Sequence, residues 1–254
     1  MGFMNKSCFY VVTHKQAQMP EKKGYYPIVV GKNEVKYKRG FKDNTGDNIS
    51  EKNSNYCELT ALYWIWKNTL SDYICGFCHY RRFFTKNILG IFRKNVLDII
   101  DAQNILDEYD IILPTPEVFH HISVKQQIID TSVRENDLKE LRNVILEIEP
   151  DYIKDYDMVM SGNKISCYNM FVMRKSLLDD YCAWLFNLFF QYEKKVDMTD
   201  YSDYEKRIYG FLSERLFNVW VKHNHINVKY LPVVQTEESV FQSMKRMIKK
   251  ILRY

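Results

Sequence analysis

The 254-residue sequence contains little glycine and proline, with 9 and 6 residues respectively. This composition excludes collagen-like, linker-rich and low-complexity chains. The sequence also lacks any run of about 18 apolar residues, the length that a membrane-spanning helix requires. Its first apolar run, residues 8–12, is too short for the core of a signal peptide. Since 46% of the residues are apolar, we expect one large globular domain. Because both kinds of segment are missing, we expect this domain to be in the cytoplasm.

Motifs of several common enzyme classes are also missing. The sequence has no G-x-G-x-x-G and no G-x-x-x-x-G-K-[ST], so it predicts neither a dinucleotide-binding site nor a P-loop. It has no H-E-x-x-H and no G-x-S-x-G, the motifs of zinc metalloproteases and of α/β-hydrolases.

Acidic and basic residues nearly balance over most of the chain. The formal net charge is +4, but the last fifteen residues carry five cations and no acid, so the rest of the chain sums to −1. Because nucleic-acid binding depends on cations that neutralise phosphates, we expect no nucleic-acid partner.

The six cysteines are expected to be reduced, since disulfides are rare in proteins without a secretion signal. Cys75 and Cys78 form a C-x-x-C, a spacing found in redox sites and in halves of zinc sites. The pair lies in an apolar stretch that predicts a strand, whereas a redox pair works from a helix N-terminus. We predict buried strand cysteines, with a thiol oxidoreductase as an alternative function.

Apolar strand patterns alternate with helical patterns along the chain, which predicts an α/β fold with a largely parallel sheet flanked by helices. The predicted helices are one that Asn55 caps and that runs through Trp66, and those at 138–148, 177–192 and 204–222. The predicted strands are 9–12, 25–30, 73–78, 109–113, 167–173 and 228–234. Ligands of such folds bind at the carboxyl ends of the strands, so we expect the functional site there.

Several polar and aromatic blocks of this chain resemble the DUF4422 family. Among them are DNTGDNIS at 43–50, NYCELTALYW at 55–64, HYRRF at 79–83 and YNMF at 168–171, together with 204–216 and 231–234. The similarity extends from residue 12 to about residue 234 in the expected order.

This resemblance implies a glycosyltransferase of bacterial capsule, exopolysaccharide or O-antigen assembly. It implies a GT-A-like, Rossmann-like mixed fold over residues 1–239 and a UDP-hexose donor, with galactose or galactofuranose among the candidate sugars. The acceptor would be a growing or lipid-linked surface glycan. The alternative is a non-catalytic scaffold of a polysaccharide-assembly complex that retains the fold.

Residues at the strand ends and in the family blocks are the candidates for donor binding. His14 could instead make only local hydrogen bonds, and the 43–50 loop could use its polar groups to satisfy its own backbone. The predicted donor-binding residues are Thr13, His14, Lys15, Asp47, Asn48, Ser50, Asn55, His79, Tyr80, Arg81, Arg82 and Asn169.

Arg81 and Arg82 predict transfer without a cofactor or a divalent metal. They follow a predicted strand at the position where a GT-A fold is expected to carry its acidic metal motif, and guanidinium groups bind phosphate bidentately. The alternative is that adjacent strand residues face opposite sides, so that one arginine alone reaches the donor. We interpret Asp155 and Asp157, which form a D-x-D, as part of a solvated helix face.

The candidate catalytic bases are Asp203, Glu205 and Glu214, because an inverting transfer requires a carboxylate near the acceptor hydroxyl. Arg207 is the candidate acceptor-binding residue. Asp203 and Arg207 could instead form an ordinary i,i+4 ion pair on a solvated helix face.

The last fifteen residues, 240–254, predict a basic amphipathic helix. Seven apolar residues recur at helical spacing and five cations fill the remaining arc. Such a helix binds anionic lipid, which predicts a peripheral protein on the inner face of the cytoplasmic membrane. The alternatives are packing of the apolar stripe against the body or an oligomer contact through the same face.

Overall fold

The computed structural model describes residues 7–32, 35–70, 73–86 and 95–237. Its strands in chain order are β1 (Cys8–Thr13), β2 (Tyr25–Val29), β3 (Phe41–Lys42), β4 (Ile74–His79), β5 (Arg82–Phe84), β6 (Ile111–Pro114), β7 (Glu117–Val118), β8 (Lys164–Ile165), β9 (Phe171–Arg174), β10 (Val228–Leu231) and β11 (Val233–Gln235).

The main sheet has the strand order β10-β6-β9-β4-β1-β2-β3. Neighbours pair in parallel except on either side of β9, which runs antiparallel to both β6 and β4. Beyond this path, β5 pairs antiparallel with β4 and β11 pairs antiparallel with β5. Strands β7 and β8 form a separate two-stranded sheet. The prediction of a mixed, largely parallel sheet is confirmed.

The helices are α1 (Asn53–Tyr56), α2 (Leu59–Asn68), α3 (Ile99–Leu106), α4 (Val124–Thr131), α5 (Glu135–Ile148), α6 (Ile153–Ser161), α7 (Lys175–Tyr192) and α8 (Ile208–His223). Alternate residues of β1 enter two different hydrophobic clusters, with Tyr10 in the larger and Phe9 in the smaller. The larger cluster contains side chains of α2 and α4 to α8, whereas α3 packs in the smaller one. Both faces of the sheet are therefore covered, as its near-continuous apolar strands require.

Three predicted elements are shorter or more broken than their sequence patterns suggested. Asn55 lies inside α1 and caps no helix, because the helical segment is interrupted at Cys57. The strand predicted at 167–173 begins only at Phe171, since Tyr168 and Asn169 have positive φ angles. The strand predicted at 228–234 is divided at Pro232, which has no N–H to donate to a ladder.

Cys75 and Cys78 are buried strand residues, as predicted. Both lie in β4, but Cys75 enters the larger hydrophobic cluster and Cys78 the smaller one. Side chains three positions apart on a strand face opposite sides of the sheet, so the two thiols cannot share a disulfide or a metal. Burial also raises the pKa of both thiols, which opposes redox chemistry by a thiolate.

The predicted amphipathic helix at 240–254 lies outside the described residues. Within the ranges that the structure describes, no helix is long and apolar enough to cross a membrane.

Candidate active site

A cleft of about 930 Å³ opens where β1, β2 and β4 end. Its lining includes Thr13 at the end of β1, His14 directly after it, Val30 after β2 and His79 at the end of β4. The carboxyl ends of three parallel neighbours thus meet at one opening, as predicted for a ligand site of this fold class. The other lining residues come from the β4–β5 turn, the α1–α2 junction, α4, the segment before β9 and the start of α8.

Both arginines of the HYRR block line the cleft. The chain turns at Tyr80 and Arg81 before Arg82 begins β5. Arg81 and Arg82 are therefore not adjacent residues of one continuous strand, whose side chains would face opposite sides of the sheet. Arg81 is 43% exposed, and its Nη1 lies 3.8 Å from Oε2 of Glu237. Arg82 packs under the ring of Tyr168, with its guanidinium carbon 4.4 Å from the ring centre.

The guanidinium of Arg82 is not fully satisfied by the protein. Its Nε is buried and has no hydrogen-bond partner among the described residues. Burial also lowers the pKa of Arg82, opposed by the nearby Tyr168, Glu214 and Glu58. A buried donor without a partner is costly, so Arg82 retains hydrogen-bonding capacity that the described residues do not use.

Tyr168 and Asn169 connect the walls of the cleft. Both have positive φ angles, 80° and 49°, which direct successive backbone and side-chain groups to different partners. The N–H of Tyr168 donates to Oε1 of Glu214 at 2.8 Å, and its hydroxyl donates to Oε1 of Glu117 at 2.5 Å. Nδ2 of Asn169 donates to Oε1 of Glu58 at 2.7 Å. This short segment therefore orients carboxylates from three other elements.

Two histidines at the strand ends have lowered pKa values. Burial is the main cause of the lowered pKa of His79, and Glu58 opposes it. Burial together with Lys15 and Arg81 lowers the pKa of His14. Nε2 of His79 lies 2.6 Å from the carbonyl oxygen of Tyr168. Since a carbonyl can only accept, Nε2 carries a proton and donates it to this hydrogen bond.

Two carboxylates, Glu58 and Glu214, line the cleft together with its cations. Burial raises the pKa of Glu214, whereas Arg215 and the Tyr168 N–H oppose this rise. Oε2 of Glu214 lies 2.9 Å from Nη1 of Arg215. The cleft thus combines fixed cations with a small number of carboxylates, a combination suited to an anionic ligand and a proton transfer.

The wall formed by α4 and the start of α8 is polar and aromatic. The rings of Tyr204 and Phe211 lie 5.2 Å apart, and the guanidinium of Arg207 lies 5.9 and 5.5 Å from their centres. Nε of Arg207 contacts Sγ of Cys57 at 3.5 Å. Polar side chains of Gln127, Thr131 and Ser132 complete this wall.

The 43–50 loop uses its polar groups to hold α2. The side chain of Asp47 accepts a hydrogen bond from the Tyr63 hydroxyl, and Asn48 accepts one from the N–H of Ser50. Asp47, Asn48 and Ser50 do not line the cleft. Their contacts favour the alternative in which the loop satisfies its own backbone and its helix.

Three other predicted donor-binding residues lie beside the cleft and do not line it. Nζ of Lys15 pairs with Glu237 at 3.0 Å and lies over the Tyr80 ring. Nδ2 of Asn55 donates to the carbonyl of Lys206 at 3.1 Å. Asn169 is buried and acts on the cleft through Glu58. The predicted site residues that line the cleft are Thr13, His14, His79, Tyr80, Arg81, Arg82, Arg207 and Glu214.

Asp203 and Glu205 are also outside the cleft lining. The expected helical face does not include Asp203, because α8 begins at Ile208 and only a short 3₁₀ turn at Glu205–Arg207 precedes it. The Asp203 side chain is fully exposed. Hydrogen bonds from Arg134 and from Ser202 lower the pKa of Glu205 to about 2, which makes this carboxylate a weak base.

The D-x-D residues lie in α6, where they form ion pairs. Asp157 pairs with Arg142, with 2.6 Å between Oδ2 and Nη2, and Asp155 pairs with Lys222 and His223. This agrees with a solvated helix face. Among the described residues, no group of three or more His, Cys, Asp and Glu side chains is arranged to hold a metal ion.

The sequence and the fold were compared with those of known proteins. A family model described as a domain of unknown function, DUF4422, matches residues 8–225. The chain belongs to the DUF4422 family. No curated protein matches it.

The structure of this DUF4422 chain is similar to the apo structure of the bifunctional glycosyltransferase WbbM. The TM-score is 0.75 and the sequences are 28% identical. The match covers 92% of this chain and 46% of the WbbM chain, so our chain spans about half the length of that protein. The predicted GT-A-like α/β fold is confirmed.

The DUF4422 cleft contains residues that sequence reasoning did not select. One of them is Glu58, which lies within the predicted helix that runs through Trp66 and was not among the candidate site residues. Its neighbour Cys57 and the α4 residues Gln127 and Thr131 were missed as well. A signal for Glu58 was available, because residues 55–58 lie in a block that resembles the family. No sequence signal marked the α4 residues.

Proposed function

We propose that this chain is a glycosyltransferase that moves a hexose from a UDP-sugar to a growing or lipid-linked bacterial surface glycan. The observation that carries the proposal is the cleft at the strand ends, lined by both Arg81 and Arg82. The similarity to a bifunctional glycosyltransferase supports the reaction class. The sugar and the acceptor are proposed from the family resemblance.

The arginines give the cleft a means to bind and activate a diphosphate. In the transfer, the acceptor oxygen bonds to the anomeric carbon while the bond from that carbon to the diphosphate breaks, and the electron pair leaves with UDP. Planar guanidinium groups bind phosphate oxygens bidentately and remain charged at any working pH. Preorganised charges of this kind stabilise the departing diphosphate by several kcal/mol. We therefore propose that no divalent metal is needed.

A panel of UDP-hexoses, with UDP release measured by mass spectrometry, tests this function. We expect release from at least one donor and the same rate in EDTA. Complete loss of release in EDTA, restored by Mn²⁺ or Mg²⁺, would contradict the metal-independent mechanism. UDP binding in a thermal-shift assay without release from any donor would instead support the scaffold.

We also propose that residues 240–254 attach the protein to the inner face of the cytoplasmic membrane, where a lipid-linked acceptor would lie. The proposal is supported by the apolar stripe and the five cations of that segment. Deletion of residues 240–254 should abolish co-sedimentation with anionic liposomes and leave UDP binding intact. Undiminished co-sedimentation of the shortened chain would refute this attachment.

A further inference from the structure

The Glu58 side chain is directed away from its own helix. Glu58 occupies the N-cap position of α2, where a polar side chain commonly accepts a hydrogen bond from a backbone N–H of the first turn. Its carboxylate makes no such bond. It lines the cleft instead, and Oε1 accepts a hydrogen bond from Nδ2 of Asn169 at 2.7 Å.

Unfavourable backbone conformations and a close approach hold Glu58 in this position. Cys57 has φ 51° and ψ −128°, and Asn169 has φ 49°. Such conformations are unfavourable for residues other than glycine and cluster at functional sites. Gly210 of α8 allows the close packing, since a Cβ there would lie 3.3 Å from Cβ of Cys57 and 3.8 Å from Oε2 of Glu58.

The two carboxylates of the cleft differ in the oxygens that they offer to a ligand. Each oxygen of Glu214 already accepts a hydrogen bond, Oε1 from the Tyr168 N–H and Oε2 from Arg215. Oε1 of Glu58 is occupied by Asn169, but Oε2 has no hydrogen-bond partner in the part of the chain that the structure describes. This free oxygen belongs to a carboxylate that a second group orients.

Cationic side chains line the cleft together with Glu58. The charge of Glu58 favours the protonated forms of Arg82, Arg207 and the His79 ring. A group that acts on the acceptor should lie close to the diphosphate-binding side chains, because attack occurs at the carbon that the diphosphate leaves. Glu58 meets this condition through Arg82, whereas Asp203 and Glu205 do not line the cleft.

We infer that Glu58 is the general base of the transfer, an assignment that rests on the proposed function. Oε2 accepts the proton of the acceptor hydroxyl as the acceptor oxygen bonds to the anomeric carbon. The bond from that carbon to the diphosphate breaks, and the electron pair leaves on UDP beside the arginines. Attack on the face opposite the leaving group inverts the anomeric configuration.

Glu58→Gln is the decisive variant, because a glutamine oxygen still accepts from Asn169 but cannot take the proton. The assay uses the UDP-hexose with the greatest UDP release in the panel, with water as the acceptor. We expect the rate of UDP release to fall at least 100-fold, within the range typical of general base catalysis. The affinity for UDP should stay within twofold of the wild-type value.

Glu214→Gln is the matched control, since it also removes a charge from the cleft lining. We expect it to reduce UDP release less than tenfold. A 100-fold loss in Glu214→Gln with near-normal release by Glu58→Gln would overturn the assignment.

Two further results separate the possible failures. If Glu58→Gln has a lowered melting temperature, Glu58→Ala assayed with and without sodium formate replaces it. Formate should restore part of the UDP release when a carboxylate base is missing, and no restoration would count against the base. If the wild-type chain releases UDP from no donor, the proposed function fails and the assignment fails with it. If the wild type and Glu58→Gln release UDP equally, the base assignment alone is wrong.

Discussion

The two arginines of the cleft have different environments, although they are adjacent in the sequence. Arg81 is partly exposed and pairs with Glu237, which also binds Lys15. Arg82 is packed under Tyr168 and has a buried Nε without a partner among the described residues. A phosphate that binds Arg81 must compete with an exposed ion pair of small energy, whereas Arg82 has hydrogen-bonding capacity that the described residues do not use.

We predict that Arg81→Ala and Arg82→Ala each lower turnover at least tenfold while the melting temperature changes little. A tenfold loss corresponds to about 1.4 kcal/mol, which a hydrogen bond to a charged group can provide. Arg82→Lys should also lose activity, because an ammonium group cannot form the planar fork. UDP-release kinetics and thermal unfolding provide the measurements.

Arg142→Ala is the control for these variants, since it removes an arginine whose ion pair with Asp157 lies outside the cleft. It should leave turnover unchanged. Full turnover in Arg82→Ala would rule out the diphosphate clamp.

At the scale of elements, the strands could be predicted from the sequence because their apolar runs are local. The predictions at 9–12 and 25–30 agree with β1 and β2 to within one or two residues. The breaks could not be predicted in the same way, since distant residues stabilise them. Asn169 departs from the strand pattern and bonds to Glu58, 111 positions away, and to the carbonyl of Gly210, 41 positions away.

The contrast between local patterns and contacts with distant residues also explains which parts of the candidate site could be predicted. The HYRR residues follow a strand directly, so the rule for ligand sites at strand ends led to both arginines. The catalytic candidates relied on continuous helical periodicity from Asp203 to Glu214, and the helix starts only at Ile208. Glu58 required knowledge of the turn at Cys57, whose positive φ angle no periodicity indicates.

At the scale of the whole molecule, the sheet separates two hydrophobic clusters, and the cleft opens at the end of the strands between them. Polar and charged residues at or beside this opening are held by partners from distant parts of the chain, such as Glu237 for Lys15 and Glu117 for Tyr168. The stability of the fold and the geometry of the cleft are therefore coupled. A change of pH that ionises a buried cleft residue should affect both.

We predict that the free energy of unfolding falls as the pH is lowered from 7 to 5, in part because of His79. Burial lowers the pKa of His79 in the folded protein, with Glu58 opposing this and Arg82 and Arg81 adding to it. A lowered folded pKa stabilises the protein above the ordinary value of about 6.5, and this stability is lost as the pH falls towards the folded value. One such group changes the free energy of unfolding by at most about 1.4 kcal/mol per pH unit.

His79→Gln isolates this contribution, because a glutamine amide can still donate to the Tyr168 carbonyl but does not titrate. Urea unfolding of the wild type and the variant should be compared at pH 7, 6 and 5. Glu214 opposes the fall in the free energy of unfolding, since its raised pKa makes the folded state bind a proton more readily as the pH falls. Both proteins contain Glu214, so its effect cancels in the comparison. We expect the free energy of unfolding to decline less with falling pH in His79→Gln than in the wild type.

His120→Gln, which changes an exposed histidine outside the cleft, should retain the wild-type decline. Equal slopes for the wild type and His79→Gln would mean that the buried His79 ring does not contribute to the acid sensitivity of the fold.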